Sequence, residues 1–349
     1  MAMETVVMGT ATEARSDSVT SGSSPSRKPR NRVPDVRAAF DVLTMGRVGV
    51  DLYPEQSGLS LADVRTFAKS LGGSATNVAV GAARYGRSSA VITKVGDDGF
   101  GTYVRNALRG FGVDDHFVGT DPLLRTPVVF CELFPPDHFP ILFYREPKAP
   151  DMNLTASELD FDAIREARVF WTTGTGLSDE PSRSATLAAL EARERSALTI
   201  HDLDYREMFW ASPEEAGKQQ LRALDLATVA VGNAKEVAVA VGAGPAEELA
   251  GRLLERGLDL AVVKLGPEGV LVAWDGRMER VPAVEVEVVC GLGAGDAFGA
   301  ALCHGLLSGW DNTETIRFAS GAGAYVAARL ACADAMPDEA QVYELLGDA

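Results

Sequence analysis

Cysteine is scarce. The chain has four in 349 residues, at 131, 290, 303 and 332, with no CxxC pair and no histidine at zinc-ligand spacing, so neither a disulfide framework nor a structural metal site is expected. The four histidines share no spacing either. Long apolar runs are missing as well: no stretch approaches about 18 consecutive apolar residues, and the first forty residues lack the apolar core of a signal peptide. No membrane contact is expected, and the location expected is the cytoplasm. Positive charge is in deficit, 33 Lys and Arg against 49 Asp and Glu, for a net charge of −16. That balance argues against nonspecific nucleic-acid binding, which needs a basic surface. An anionic ligand would need locally placed arginines. Hydrophobic content of 46% and charged content of 23% are those of a globular chain able to bury a core, in one large domain or two ordinary ones.

Residues 1–35 hold six serines between Ser16 and Ser26, then the basic run Arg27, Lys28, Arg30 and Arg32. With few large apolar side chains, such a segment cannot offset its ordering entropy, which predicts a disordered leader ahead of one folded domain at 36–349. From Asp41 onward short apolar runs alternate with helical stretches. Strands are expected at 42–45, 90–95, 169–173, 199–201, 229–231, 260–265 and 269–274, with helices such as 76–85, 103–111, 183–195 and 246–255 between them. Runs apolar on both faces, each followed by a helix, predict an α/β fold with a doubly wound, mostly parallel sheet. Two stretches break the alternation, about 47–67 and 125–146. Their clustered strands form either a small separate sheet over the carboxyl edge of the main one or a hairpin that extends it.

The most informative stretch is Gly291-Leu292-Gly293-Ala294-Gly295-Asp296-Ala297-Phe298-Gly299. It follows a strand-like run at 284–289 and leads into an apolar helical run through Leu307. Small residues let successive backbone N–H groups converge on an anion, and the dipole of the following helix favours negative charge there. A dinucleotide fingerprint would need Gly at 296, where an aspartate instead would repel a pyrophosphate. Two readings remain. Asp296 either caps a tight strand-to-helix turn, or it accepts the proton of a substrate hydroxyl while the Gly293, Ala294 and Gly295 amides stabilise a transferred phosphoryl group.

A second glycine cluster, Leu71-Gly72-Gly73-Ser74-Ala75-Thr76-Asn77, opens a helix. Adjacent glycines let backbone approach a ligand closely, and Asn77 can both donate and accept, as a polyol requires. Asp51, just past the first strand, is placed to hold a pair of sugar hydroxyls, or else is a solvated loop residue.

These clusters fall in order with Asn233-Ala234-Lys235-Glu236 and with Lys264-Leu265-Gly266-Pro267-Glu268-Gly269. Four motifs in this register, over about residues 40–348, resemble the ribokinase (PfkB-type) sugar kinase family. The resemblance implies a ribokinase-like fold in which the small sheet is a lid, and a carbohydrate kinase using ATP and Mg2+. It implies Asp296 as catalytic base and the Gly293, Ala294 and Gly295 amides as its anion hole. Asp51, Gly72, Gly73 and Asn77 would hold the sugar. Asn233 and Glu236 would position the triphosphate and the magnesium, Glu236 through water, while Lys264, Gly266 and Gly269 would line the nucleotide. The chain departs from the family just before the anion hole, where Asp-Thr is common and Cys290-Gly291-Leu292 stands here. A monovalent-cation contact by those side chains is therefore left open.

Three phrases, 46–54, 143–151 and 201–210, are similar to the branch of this family that acts on 5-dehydro-2-deoxy-D-gluconate in inositol catabolism. The resemblance implies phosphorylation of its 6-hydroxyl. The alternatives are 2-keto-3-deoxygluconate or fructose as substrate, or a non-catalytic sugar-binding regulator. A buried carboxylate needs a cation, and guanidinium binds one bidentately. Arg47, beside Asp51, and Arg145, after the lid strands, are the candidates. Asp204 and Arg206 are assigned to the sheet edge or the nucleotide side, and His201 to the cleft. A lid with open strand edges pairs readily with a second subunit, so a homodimer through the lid is an expectation.

Overall fold

The computed structural model describes residues 40–196 and 198–348; the serine-rich and basic leader at 1–35 lies outside them. Fourteen strands are seen among the described residues: β1 Val42–Met45, β2 Gly49–Pro54, β3 Phe67–Gly72, β4 Ser89–Gly96, β5 Val113–Asp114, β6 Val118–Asp121, β7 Val128–Cys131, β8 Ile141–Tyr144, β9 Val169–Thr173, β10 Leu198–Asp202, β11 Val229–Asn233, β12 Leu260–Lys264, β13 Val270–Trp274 and β14 Arg277–Val281. Ten form the main sheet in the order β14-β13-β12-β11-β10-β9-β1-β4-β5, with β6 also on β4. Its pairings are parallel except for the antiparallel β12–β13 and β13–β14. Every residue of β1, β4, β9 and β10 is buried, as helices on both faces of a parallel sheet require. The doubly wound expectation is met.

β1 lies between β4 and β9, so the chain builds the sheet first to one side of it, with β4 and β5, and later to the other, with β9 and β10. This is the topological switch point, where the carboxyl ends of α/β strands form a crevice. Immediately after β1 the chain crosses into a second, smaller sheet, β3-β2-β7-β8. β3 runs on to Gly72, five residues beyond the edge at 67 expected from sequence. Its outward Ala68 and Lys69 break the apolar pattern by which a strand is recognised.

The glycines of two helices decide how the crevice is built. Helix Ser74–Arg84 packs against helix Ala294–Ser308 so closely that a Cβ on Gly81 would stand 2.5 Å from the Ala300 methyl. A Cβ on Gly299 would stand 2.6 Å from the Trp171 ring beneath it. Close approach without side chains lets the amino ends of both helices meet at the switch point.

One expected strand is absent. Residues 282–288 carry no strand assignment: Pro282, having no N–H, follows the end of β14 and stops the pairing. Val289 and Cys290 instead donate to the Ala327 carbonyl, at 2.9 and 3.0 Å. Among the described residues no helix is long and apolar enough to cross a membrane.

Candidate active site

Helix Ala294–Ser308 begins at Gly293, which is left-handed at φ 81°, and no side chain caps it. A Cβ at Gly293 would fall 2.6 Å from Cys332 Sγ, so both conformation and space call for glycine. The first amides therefore face the crevice free of any capping side chain. Asp296 does not cap its own helix. Its Oδ1 accepts from Ser74 Oγ at 2.7 Å and its Oδ2 from Asn77 Nδ2 at 2.8 Å. Both partners come from the first turn of helix Ser74–Arg84. The carboxylate is thus held by one helix beside the open amides of another.

The small sheet supplies the opposite wall. Asp51, on β2, stands so near Gly72 that a Cβ there would lie 2.1 Å from its carboxylate oxygen. Gly73, at φ 105°, leaves only 2.4 Å between such a Cβ and the Arg47 carbonyl. Burial pushes the Asp51 carboxyl up to about 6, against the pull of Arg47 and with the help of the Asp296 charge. Tyr53 OH lies 3.5 Å from Asp51 Oδ2 and 2.8 Å from Cys332 Sγ.

Arg47, Asp51, Gly73, Asn77, Gly293 and Asp296 line one cavity, joined by Tyr53, Ser74, Phe143 and Arg206. Arg47 Nε is 3.7 Å from Asp204, too far for a hydrogen bond. Arg47 Nε and Asn77 Oδ1 are buried polar atoms with no hydrogen-bond partner. Such atoms are costly unless something satisfies them, and here one donor and one acceptor belong to residues of the same cavity wall.

Other expected residues are placed differently. Arg145 forms an ion pair with the buried Asp151, whose second oxygen accepts from the Val48 amide at 2.9 Å. It is not among the residues around this cavity. Arg206, assigned from sequence to the sheet edge or the nucleotide side, lines it while donating to Asp204 Oδ1 at 2.9 Å. Ser74 and Tyr53 were not singled out by sequence reasoning either. A hydroxyl next to a Gly-Gly turn, and a tyrosine two residues from Asp51 on the same strand face, were the available signals. His201 is not in the cleft. It is fully buried between Thr172 Oγ1 at 2.9 Å and Gln220 Oε1 at 2.7 Å, because its strand turns it to the face opposite Asp202.

Along the carboxyl ends of β10, β11 and β12, Asp202, Asn233 and Lys264 share the sheet face that helix Ala294–Ser308 covers. Lys264 Nζ would be 3.4 Å from a Cβ on Gly295, which sets an ammonium beside the open amides. Burial alone would lower the Lys264 pKa, but Asp202, Glu236, Asp296 and Asp204 outweigh it and raise it. Burial raises that of Asp202, with Lys264 opposing and the neighbouring acids adding. Asn233 and Glu236 cap each other: Glu236 Oε2 accepts from the Asn233 amide at 2.7 Å and Asn233 Oδ1 from the Glu236 amide at 2.9 Å. Gly266 and Gly269 shape the turn between β12 and β13, where a Cβ on Gly269 would meet the Val281 carbonyl at 2.1 Å. Among the described residues no group of three or more His, Cys, Asp or Glu could hold a metal by itself. A magnesium ion bound by one carboxylate, waters and phosphate oxygens fits Glu236, since that ion keeps most of its waters.

A ribokinase-like sheet with a carboxylate beside open helix amides defines a phosphotransferase cleft. The chain belongs to the pfkB family of carbohydrate kinases, whose model matches residues 39–339. Among curated relatives, the 5-dehydro-2-deoxygluconokinase of Clostridium tetani (strain Massachusetts / E88) is 33% identical over 320 residues, covering 89% of this chain and 94% of that protein. Fructokinase-1 of Zea mays is 34% identical over 317 residues, covering 88% and 98%. A sugar kinase from Pyrococcus horikoshii in complex with ATP superposes with a TM-score of 0.73 at 28% identity, over 87% of this chain and 97% of that one. The fructokinase of Vibrio cholerae O395 with fructose, ADP and calcium bound gives 0.77 at 28%, over 87% and 98%.

Proposed function

We propose that this carbohydrate kinase transfers the γ-phosphoryl group of ATP to the 6-hydroxyl of 5-dehydro-2-deoxy-D-gluconate, a step of myo-inositol catabolism in the cytoplasm. The observation that carries the substrate is Arg47. Its buried Nε, without a hydrogen-bond partner beside Asp51, offers a sugar carboxylate the cation that burial demands. Asn77 Oδ1 offers an acceptor to a hydroxyl, and Asp51 accepts from two more. The name borne by the clostridial relative supports the same assignment.

In this reading Asp296, oriented by Ser74 and Asn77, takes the proton of the 6-hydroxyl as the phosphoryl group moves. The transition state is loose, so positioning matters more than basicity. The Gly293, Ala294 and Gly295 amides and the Lys264 ammonium stabilise the charge spread over the transferred oxygens. Gly266 and Gly269 hold the turn against the nucleotide, and Asn233 and Glu236 position the triphosphate. Magnesium, held through water by Glu236, would neutralise charge on the β- and γ-phosphates. The small sheet acts as a lid that excludes water during transfer. Leu142 and Tyr144, exposed on the outer face of the edge strand β8, support a homodimer through that sheet.

Ser74 has a defined share in this chemistry. Ser74→Ala is expected to lower kcat about tenfold, the worth of one hydrogen bond to a charged group, with little change in KM. Ser74→Thr restores it, and steady-state kinetics of the two variants check both expectations.

The substrate is tested by ADP release with Mg-ATP across 5-dehydro-2-deoxygluconate, 2-keto-3-deoxygluconate, fructose and ribose. Turnover confined to the first acid is expected. Preference for fructose would remove the carboxylate role from Arg47; this second reading is favoured by the maize relative and by the loss of Arg145 to Asp151. Tight sugar binding with no turnover would leave a regulator.

A further inference from the structure

The sugar cavity has a neighbour. A second cavity of about 650 Å3 shares three wall residues with it, Arg47, Ile141 and Phe143. Arg145, Lys148 and Phe209 are among its other walls. Of the three shared residues Phe143 has the largest apolar side chain, and it is held in place. Its ring meets Phe209 edge to face, with centroids 4.9 Å apart at 65°. The Arg47 guanidinium carbon is 5.7 Å from the Phe143 centroid, and that of Arg145 is 5.5 Å from the Phe209 centroid. Arg47, Phe143, Phe209 and Arg145 thus form a row in which two edge-to-face rings are flanked by a cation at each end, each contact favourable in its own right. At one end Arg145 is ion-paired with Asp151, and at the other Arg47 faces Asp204 at 3.7 Å without a hydrogen bond. Phe143 belongs to the small sheet and Phe209 to the turn Glu207–Phe209 of the main domain, so the row also joins the two.

We propose that Phe143 is the partition that sets substrate length, and that Phe209 is the positioning residue that keeps it there. With the ring in place, Arg47 and Phe143 bound the sugar cavity, which is small at about 60 Å3, and the substrate's carboxylate stops at that guanidinium. Without the ring the two cavities join, and an acid extended at its carboxyl end can pass into the outer one, toward Arg145 and Lys148. This inference rests on the sugar-acid reading, which fixes the end of the substrate that faces Arg47.

The test compares the six-carbon acid with its glycine conjugate, whose carboxylate lies three atoms farther out, on wild type, Phe143→Ala, Phe143→Leu and Phe209→Ala. In Phe143→Ala, kcat/KM for the conjugate is expected to rise about tenfold over wild type, the usual scale for a change in pocket size. For the six-carbon acid it falls, mainly through KM. Phe143→Leu, which keeps an apolar side chain and guards against a folding defect, moves both in the same directions by less. Phe209→Ala, which leaves the partition but removes its support, falls between wild type and Phe143→Ala. Loss of activity on both substrates in equal proportion in the two Phe143 variants would overturn the proposal, leaving the ring a packing residue. If wild type instead uses fructose and not the acid, the substrate assignment has failed. The partition is then judged by fructose against its 1-O-propyl ether in the same variants, with the same gain or equal loss deciding.

Discussion

Asp296→Asn is expected to lower kcat by about a thousandfold, within the range that a positioned general base supplies, while the KM values for sugar and ATP change little. The amide keeps the shape of the carboxylate, and the Ser74 hydroxyl that now bonds it at 2.7 Å can rotate to suit either atom. What it cannot do is take the hydroxyl proton. Binding of sugar by calorimetry separates this from a general collapse of the site: affinity within a few fold of wild type, with turnover lost, marks a group that acts in the transition state. A loss of less than tenfold would move the base elsewhere. Asp51 is the other carboxylate on the cavity wall, so the double variant with Asp51→Asn would then identify it.

How much of this was legible in the sequence depended on whether the partners were local. The main-sheet strands were readable because burial on both faces writes an unbroken apolar run, as in Val42–Met45 and Val169–Thr173. The glycine motifs were readable because clustered glycines mark a tight turn in the sequence itself, although the room they leave is for distant groups, Asp51 beside Gly72 and Cys332 beside Gly293. Gly293 needs its φ of 81° whatever lies across the cleft. The other residues depended on distant ones. Ser74 matters through Asp296, 222 positions away, and no spacing rule reports that pair. Arg145 looked free for a substrate because nothing in its neighbourhood says that Asp151 also accepts from the Val48 amide and so stands fixed at the right place to claim it. Arg206 was assigned with Asp204 to the sheet edge or the nucleotide side, yet that same aspartate also faces Arg47 and so brings both guanidiniums to one cavity. The expected strand at 284–289 failed for the opposite reason. Its alternation was sound, but Pro282 stops the pairing just before it, and Val289 and Cys290 bond to the Ala327 carbonyl instead, nearly forty positions away in the chain.

Asp51→Asn is expected to make the fold more stable and the kinase unable to hold its sugar. Burial raises the Asp51 carboxyl from 3.8 to about 6, Arg47 opposing and Asp296 adding to the rise. The folded protein therefore binds this proton more tightly than the unfolded chain does. Stability falls as pH rises through the window from 3.8 to about 6, and above that window the ionised carboxylate costs about 3 kcal/mol. A neutral amide of the same shape escapes the cost. Urea denaturation at about pH 8 should show the variant more stable by up to about 3 kcal/mol, and the difference should vanish below about pH 4. Catalysis moves the other way. Only the ionised carboxylate can accept from two hydroxyls, so wild-type kcat/KM for the sugar is expected to fall about tenfold per pH unit below the Asp51 pKa, since this quantity reports groups on the free enzyme. In the variant it is low at every pH. If the variant were instead less stable at about pH 8, the carboxylate would be a structural partner of Arg47, and its place in the sugar site would be lost. The local geometry already leans against that outcome: Gly72 gives up its side chain to leave room for this carboxylate, and a fold that makes room for a group that weakens it is explained by a ligand rather than by packing.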